Sequence, residues 1–410
     1  MRPKRHTIAY VNNSDLLGRR FNGYDFQDHL ANNGYDVEFF CFEKKSESCN
    51  VHPMMPWKYA PKIKGAIERL ETTFSIQSLI YPFPITLAIQ SKFNNVDIAH
   101  FQMIHNSFFS LQFLPSFSKR RPSVWTLHDP WALTGHCIHP YSCTKWHSGC
   151  HGCPNLDSPK QIKIDTAAIL WSIKKDVVQR SDLTIHVLSN WMKEMVDSSP
   201  IMKGKKVRII PIGVDMERFR PDRNIRREFR KSLGIPDESF VIMLRTSTNP
   251  FKGLEIAKKL LSKMRPKRQI FILTIDTKNL IENNMENIRI IDQGFVDDSL
   301  LIPSYQASDM FLMPSTAESF GVMAVEAMAC GCPVICVKDT AVEETIRGCK
   351  SYLSIDPQHL EIIAEQIDDL SENFSYLFEM SQKVRDFSVK EYDKKVHMRS
   401  LVDLYDSLLE

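Results

Sequence analysis

Short apolar runs recur along this chain at intervals that suit strands alternating with helices. Residues 6–12 (HTIAYVN) read as a strand, followed by a polar loop and a helix running to about Asn33, which Gly34 closes. Residues 35–42 (YDVEFFCF) make the second strand of a βαβ opening. Runs at 96–101 (VDIAHF), 123–127 (SVWTL) and 183–188 (LTIHVL) continue the series, with a helix expected over 162–178. The alternation restarts at 240–244 (FVIML), then 269–276 and 288–292, and a short helix over 304–309 leads into MFLMP. Residues 313–335 form a strand-loop-helix-strand unit whose helix is expected from about Phe320 to Ala329. A last helix is expected over 386–410, with Val396, Leu401, Leu404 and Leu408 at helical spacing. Strands alternating with helices build parallel sheets, and such sheets bind ligands at the carboxyl ends of their strands.

The 410-residue length fits two domains, each large enough for its own core. The restart places an N-terminal domain at 1–205 and a C-terminal domain at 206–385, followed by the helix of 386–410. Several residues at expected strand ends carry chemistry. Glu318 lies in the loop after MFLMP and Glu326 eight residues later on the helix. Eight helical residues rise about 12 Å. That is too far for a hydrolytic carboxylate pair, roughly 5–9.5 Å apart, and it suits two contacts along one extended ligand. Gly321 leaves room for a phosphate near the first-turn amides. Arg245 ends a strand and Lys252-Gly253 opens the next helix, a cation arrangement that suits a diphosphate. His128-Asp129 ends SVWTL, with Asp129 expected to orient the ring, and Gly18 sits in the loop after the first strand.

The segment from Ser315 to Glu326 closely resembles the E-x7-E signature of retaining glycosyltransferases of family 4. The resemblance implies an α/β protein with two Rossmann-like domains facing across a cleft, the GT-B fold. It implies that Glu318 contacts the donor sugar and supports the transition state, and that Glu326 holds the ribose. It implies that the amides of Ser319, Phe320 and Gly321 cap the diphosphate while Arg245 and Lys252 neutralise it. Gly18 would face that diphosphate, and His128 would touch the donor sugar. Residues near Gly294-Phe295-Val296 would touch the base. The final helix would cross back onto the first domain, which is read as acceptor-binding and the second as donor-binding. The family's Gly-Gly-x-x-Glu is replaced here by Asp339-Thr340-Ala341-Val342-Glu343. No Asp-x-Asp triplet occurs in the chain, so catalysis without a metal or other cofactor is expected. The expected reaction is hexose transfer from a nucleotide-diphosphate sugar to a saccharide or lipid-linked saccharide, in bacterial surface-polysaccharide assembly. The rivals are a nucleotide-sugar epimerase of the same fold and a catalytically silent binding subunit.

Two stretches add to this. Residues 134–155 carry Cys137, Cys143, Cys150 and Cys153 interleaved with four histidines. This density reads as a structural zinc site, with free thiols or redox pairing as the alternatives; a subset of the family has a similar loop after its His-Asp pair. Residues 56–84 mix Lys58, Lys62, Lys64 and Arg69 with Trp57, Tyr59, Phe74 and Tyr81. Such a segment suits either a helix on an anionic membrane or a surface helix over the sheet. Composition narrows the rest. No apolar run reaches the ~18–20 residues of a membrane span, and no signal peptide is evident, so a cytoplasmic protein at or near the inner membrane face is expected. A net charge of +3 is too mild for a nucleic-acid binder.

Overall fold

The apolar runs become the strands of two parallel sheets in the computed structural model, which describes residues 5–55, 58–276, 280–282 and 285–410. The first sheet contains β1 (His6–Ser14), β2 (Tyr35–Glu43), β3 (Val51–Pro53), β4 (Ile98–Phe101), β5 (Ser123–Leu127), β6 (Thr184–Val187) and β7 (Lys206–Ile209), in the order β3-β2-β1-β4-β5-β6-β7. The second contains β8 (Phe240–Arg245), β9 (Ile270–Ile275), β10 (Ile288–Asp292), β11 (Met310–Met313), β12 (Val334–Val337) and β13 (Leu353–Ile355), in the order β10-β9-β8-β11-β12-β13.

Period-two alternation decides which face each strand residue covers, even where both faces are buried. On β1, Ala9 and Val11 join one core with Phe40, Phe101 and Trp125. Ile8 and Tyr10 join the opposite core, which includes Met398, Leu401 and Leu404 of the helix Lys394–Leu409. On β8, Phe240, Ile242 and Leu244 face one cluster while Val241 faces the other. Both sheets reverse their strand order beside their first strand, between β1 and β4 and between β8 and β11. A reversal of this kind opens a crevice at the strands' carboxyl ends, where parallel sheets commonly take ligands.

The chain divides into one unit of Met1–Pro211 with His397–Glu410 and a second of Ile212–Val396. The division therefore falls after β7 rather than at 205, because β7 pairs with β6 through Lys206 to Ile209 and closes the first sheet. The expected terminal helix is two helices, Phe374–Tyr392 and Lys394–Leu409. They part at Asp393, where Val214 N–H donates to Tyr392 O and Lys394 N–H donates to Val214 O, at 2.8 and 2.9 Å. The helix expected over 162–178 begins only at Ala167. Ahead of it, the Ser75 hydroxyl accepts from the amides of Lys163 and Ile164, both at 2.8 Å, and holds that segment in a bend outside the helix. The helix before β11 is longer than expected, Asp298–Ala307. Residues 60–74 are helical; Trp57 of the same stretch lies outside the described residues.

Candidate active site

In the second unit, the crevice beside β8 and β11 gathers the residues that the sequence singles out. Arg245 is the last residue of β8. Its Nε lies 3.3 Å from Asp276 Oδ2, just beyond β9. Lys252 ends a single helical turn, and its Nζ donates to Glu318 Oε1 at 2.5 Å. Both side chains of that pair are mostly covered, at 17 and 20% exposure. The loop that carries Lys252 is fixed to the loop that carries Glu318. Thr316 N–H donates to Phe251 O at 2.9 Å, and Thr246 Oγ1 donates to Lys252 O at 2.8 Å. Gly253 makes the approach possible: its φ is +67°, and a Cβ there would lie 1.9 Å from the Pro314 carbonyl oxygen. Each of these two cations is thus matched by a carboxylate.

The helix that follows runs Val322–Ala329, two residues shorter at its start than expected, with Gly321 as its N-cap at φ +92°. Val342 packs 2.9 Å from where a Gly321 Cβ would stand, and Phe320 O accepts from Thr345 Oγ1 at 2.7 Å. Phe320 itself is buried against Tyr392, so it offers backbone rather than side chain to the crevice. Ser319 is buried alongside it. Glu326 is buried, and its Oε2 accepts from Tyr305 OH at 3.3 Å. Asp339, where a glycine is usual in the family pattern, holds φ +57°. Its amide donates to Glu343 Oε2 at 2.8 Å, which keeps that turn in the left-handed conformation without the glycine. Phe295 is 81% exposed beyond β10.

The first unit holds the other two expected contacts. A Cβ on Gly18 would meet the Phe21 ring at 2.5 Å, and that ring lies 5.3 Å from the His128 ring. Gly18 and His128 are therefore linked through Phe21. Burial, followed by the charge of His186, brings His128 down to about 3, so the ring is neutral at physiological pH. Gln102 Oε1 lies 2.7 Å from His128 Nε2. Asp129 was expected to orient this ring, but its carboxylate bonds His105 Nε2 at 3.0 Å and the Trp131 amide at 2.9 Å. The Asp129 side chain caps the turn Pro130–Leu133, and a cap cannot point back along the strand. Burial raises Asp129, and His105 with the Trp131 amide outweighs it, leaving the carboxyl below its ordinary value.

Sequence reasoning missed Gln102, Phe21, Asp276 and Asn12. Asn12 is 1% exposed near the end of β1, and its Oδ1 has no hydrogen-bond partner among the described residues. A polar residue at the carboxyl end of a strand beside the order reversal was the available signal for Asn12 and Gln102.

The four loop cysteines, Cys137, Cys143, Cys150 and Cys153, are free thiols in one loop. Among the described residues, no three His, Cys, Asp or Glu side chains gather at metal-binding distances. Cys150 Sγ accepts from the Gly135 amide at 3.2 Å, and Cys153 Sγ lies 3.3 Å from His136 Nε2, so these two sulfurs have separate local partners. Cys137 and Cys143 are half-buried thiols. Burial pushes the Cys150 thiol up to about 11. The start of the loop is pinned by Lys174, whose Nζ donates to Trp131 O and Thr134 O at 2.7 and 3.0 Å.

Residues 225–387 match the family described as glycosyl transferases group 1, and residues 24–218 match the one described as glycosyltransferase family 4. The putative colanic acid biosynthesis glycosyl transferase WcaC of Escherichia coli is 22% identical over 324 residues, 76% of each chain. The D-inositol 3-phosphate glycosyltransferase of Corynebacterium jeikeium is 24% identical over 250 residues, 57% of each chain. The chain spans 57% of that relative and 43% of the corresponding protein of Paenarthrobacter aurescens. Sucrose-phosphate synthase from Thermosynechococcus elongatus superposes with a TM-score of 0.65 at 15% identity over 99% of each chain. Anabaena HepE, solved with UDP and glucose, does so with a TM-score of 0.64 at 16% identity over 98% of this chain and all of that one. At such identities the likeness is one of fold. With its two parallel α/β units and these matches along most of its length, the chain belongs to the GT-B glycosyltransferases of family 4.

Proposed function

We propose that the protein is a metal-independent retaining hexosyltransferase that uses a nucleotide-diphosphate sugar. The observation that carries this reading is the meeting of Lys252 and Glu318, with Arg245 on the neighbouring strand end, at the order reversal of the second sheet. Departure of a nucleoside diphosphate is the costly step, and fixed cations with helix-start amides stabilise that charge where it develops. In this reading Arg245 and Lys252 take the diphosphate, with the amides of Ser319, Phe320 and Gly321. Glu326 holds the ribose and Phe295 the base. Glu318, released from Lys252 by the diphosphate, faces the sugar. The leaving phosphate accepts the acceptor's proton in a front-face displacement, which explains why neutral His128 is suited to contact the sugar rather than to act as a strong base.

The bound UDP and glucose of Anabaena HepE support a sugar-nucleotide donor, and the colanic acid assignment of WcaC supports a surface-polysaccharide acceptor, free or lipid-linked. The first unit exposes Phe74 (60%), Ile85 (51%) and Ile89 (77%), and Lys62 and Arg69 are exposed on the helix that ends at Phe74. This supports peripheral contact with an anionic membrane at its cytoplasmic face. No helix among the described residues is long and apolar enough to cross one. The test is a melting-temperature screen with UDP, GDP and their sugar conjugates, followed by transfer from whichever conjugate stabilises the protein. A stabilising donor and a product with retained anomeric configuration are expected. Stabilisation by none of them, or an inverted product, would refute the reading.

A further inference from the structure

A cavity of about 310 Å³ lies wholly within the first unit. Glu68 and Glu71, three residues apart on the helix Ala60–Phe74, share the face that lines it. Lys160, His105, Gln161 and Tyr81 complete the polar wall. These groups are held in place. Glu71 is 6% exposed and accepts backbone N–H bonds from Ser78, Leu79 and Ile80 at 2.9, 2.9 and 3.3 Å. The Tyr81 hydroxyl also bonds this carboxylate, so the protein fills its roughly four lone-pair sites and Glu68 is the carboxylate left to meet a ligand hydroxyl. The Lys160 ammonium donates to His105 O. Gln77 braces the back of the cavity, accepting from Trp131 Nε1 at 3.0 Å and donating to Lys160 O at 2.6 Å. His105 stacks 5.0 Å from Trp131.

Three lining residues, Ser78, Ser107 and Lys160, hold φ between +55° and +68° although none is glycine. Such backbone persists where its surroundings over-determine it, and it clusters at ligand sites. The charge balance selects the ligand. Two carboxylates against one lysine disfavour a carboxylate or phosphate. A neutral polyol satisfies both kinds of wall, donating hydroxyl hydrogens to Glu68 and accepting from Lys160 and Gln161. We infer that this cavity binds a neutral saccharide ring and is where the acceptor sugar is recognised. Its role as acceptor site rests on the transferase reading above; the saccharide binding does not.

The test is saturation-transfer NMR on the full chain with UDP or GDP present. Methyl glucoside, methyl galactoside and methyl mannoside serve as neutral probes, and glucuronic acid as the charged one. At least one neutral glycoside is expected to bind saturably, with affinity reduced tenfold or more in Glu68→Lys and in Gln161→Ala. Glucuronic acid is expected to bind at least tenfold more weakly than that glycoside. Binding of no neutral glycoside, equal binding of glucuronic acid, or wild-type affinity in both variants overturns the inference. The melting shift with nucleotide is read on the same samples. Its absence in the unsubstituted protein counts against the transferase reading alone, while an unchanged shift in the variants shows that their loss of saccharide is local.

Discussion

Glu318 and Glu326 look alike in the sequence, yet their surroundings differ. Glu318 sits in a loop with its carboxylate on Lys252, whereas Glu326 is buried on a helix against Tyr305. Glu318→Ala is expected to lower kcat by about 10²–10³ with little change in donor KM, as removal of a transition-state contact does. Glu326→Ala is expected to raise donor KM by about tenfold, with kcat nearly kept. Steady-state kinetics checks the pair; equal effects on both parameters for both variants would remove the division of roles. Asp276 belongs at the same scale. It holds Arg245 at 3.3 Å but is not itself placed to bind an anion. Asp276→Asn keeps the hydrogen-bond acceptor and loses the charge, so donor KM is expected to rise only a few-fold, while Asp276→Ala, which frees the guanidinium, raises it more.

At the scale of elements, the site depends on two loops that touch. Gly253 lets the turn before the helix Leu254–Lys263 press against Pro314 of the loop leaving β11. Gly253→Ala forces a left-handed residue with a Cβ into that carbonyl, so the loops must separate. A loss of about 2–4 kcal/mol is expected, read as a lower melting temperature, together with weaker nucleotide binding. Gly34→Ala is the control: it has a similar positive φ, but nothing lies within 4 Å of a Cβ, so it should cost less and leave nucleotide binding unchanged. The elements were largely legible in the sequence because FVIML, SVWTL and VICV are strong apolar runs closed by polar or turn residues. β3 and β13, each three residues long, were not, because so short a strand is made by its neighbour's edge rather than by its own pattern.

Across the first unit as a whole, a buried hydrogen-bond chain ties the sheet to the last helix. His186 Nε2 faces the Ile210 carbonyl, which can only accept, so Nε2 carries the proton and Nδ1 accepts from Thr126. Thr126 then accepts from His100 Nε2, His100 Nδ1 accepts from Tyr405, and Tyr405 accepts from Tyr10. Every member is buried and the order leaves no place for an extra proton. Burial brings His186 down to about 4 and holds His100 well below its ordinary value. The unfolded chain therefore takes up protons first. The stabilisation is complete above about pH 6.5 and is lost as pH falls from there through about 4, by on the order of 3 kcal/mol for His186 alone. Melting temperatures measured between pH 4 and 7 should fall toward acid, and His186→Gln, which cannot titrate, should flatten the slope. A slope unchanged in that variant removes His186 as the cause.

The order of strands and helices, the restart that makes two units, and the residues with phosphate and sugar chemistry were set by local pattern, because alternation and loop residues act over a few positions. The groupings were not. That Lys252 meets Glu318, and that Asp129 serves His105 while Gln102 serves His128, depend on contacts between residues far apart in the chain. Strand order brings those residues together, and it is decided by packing across the sheet rather than by any single segment.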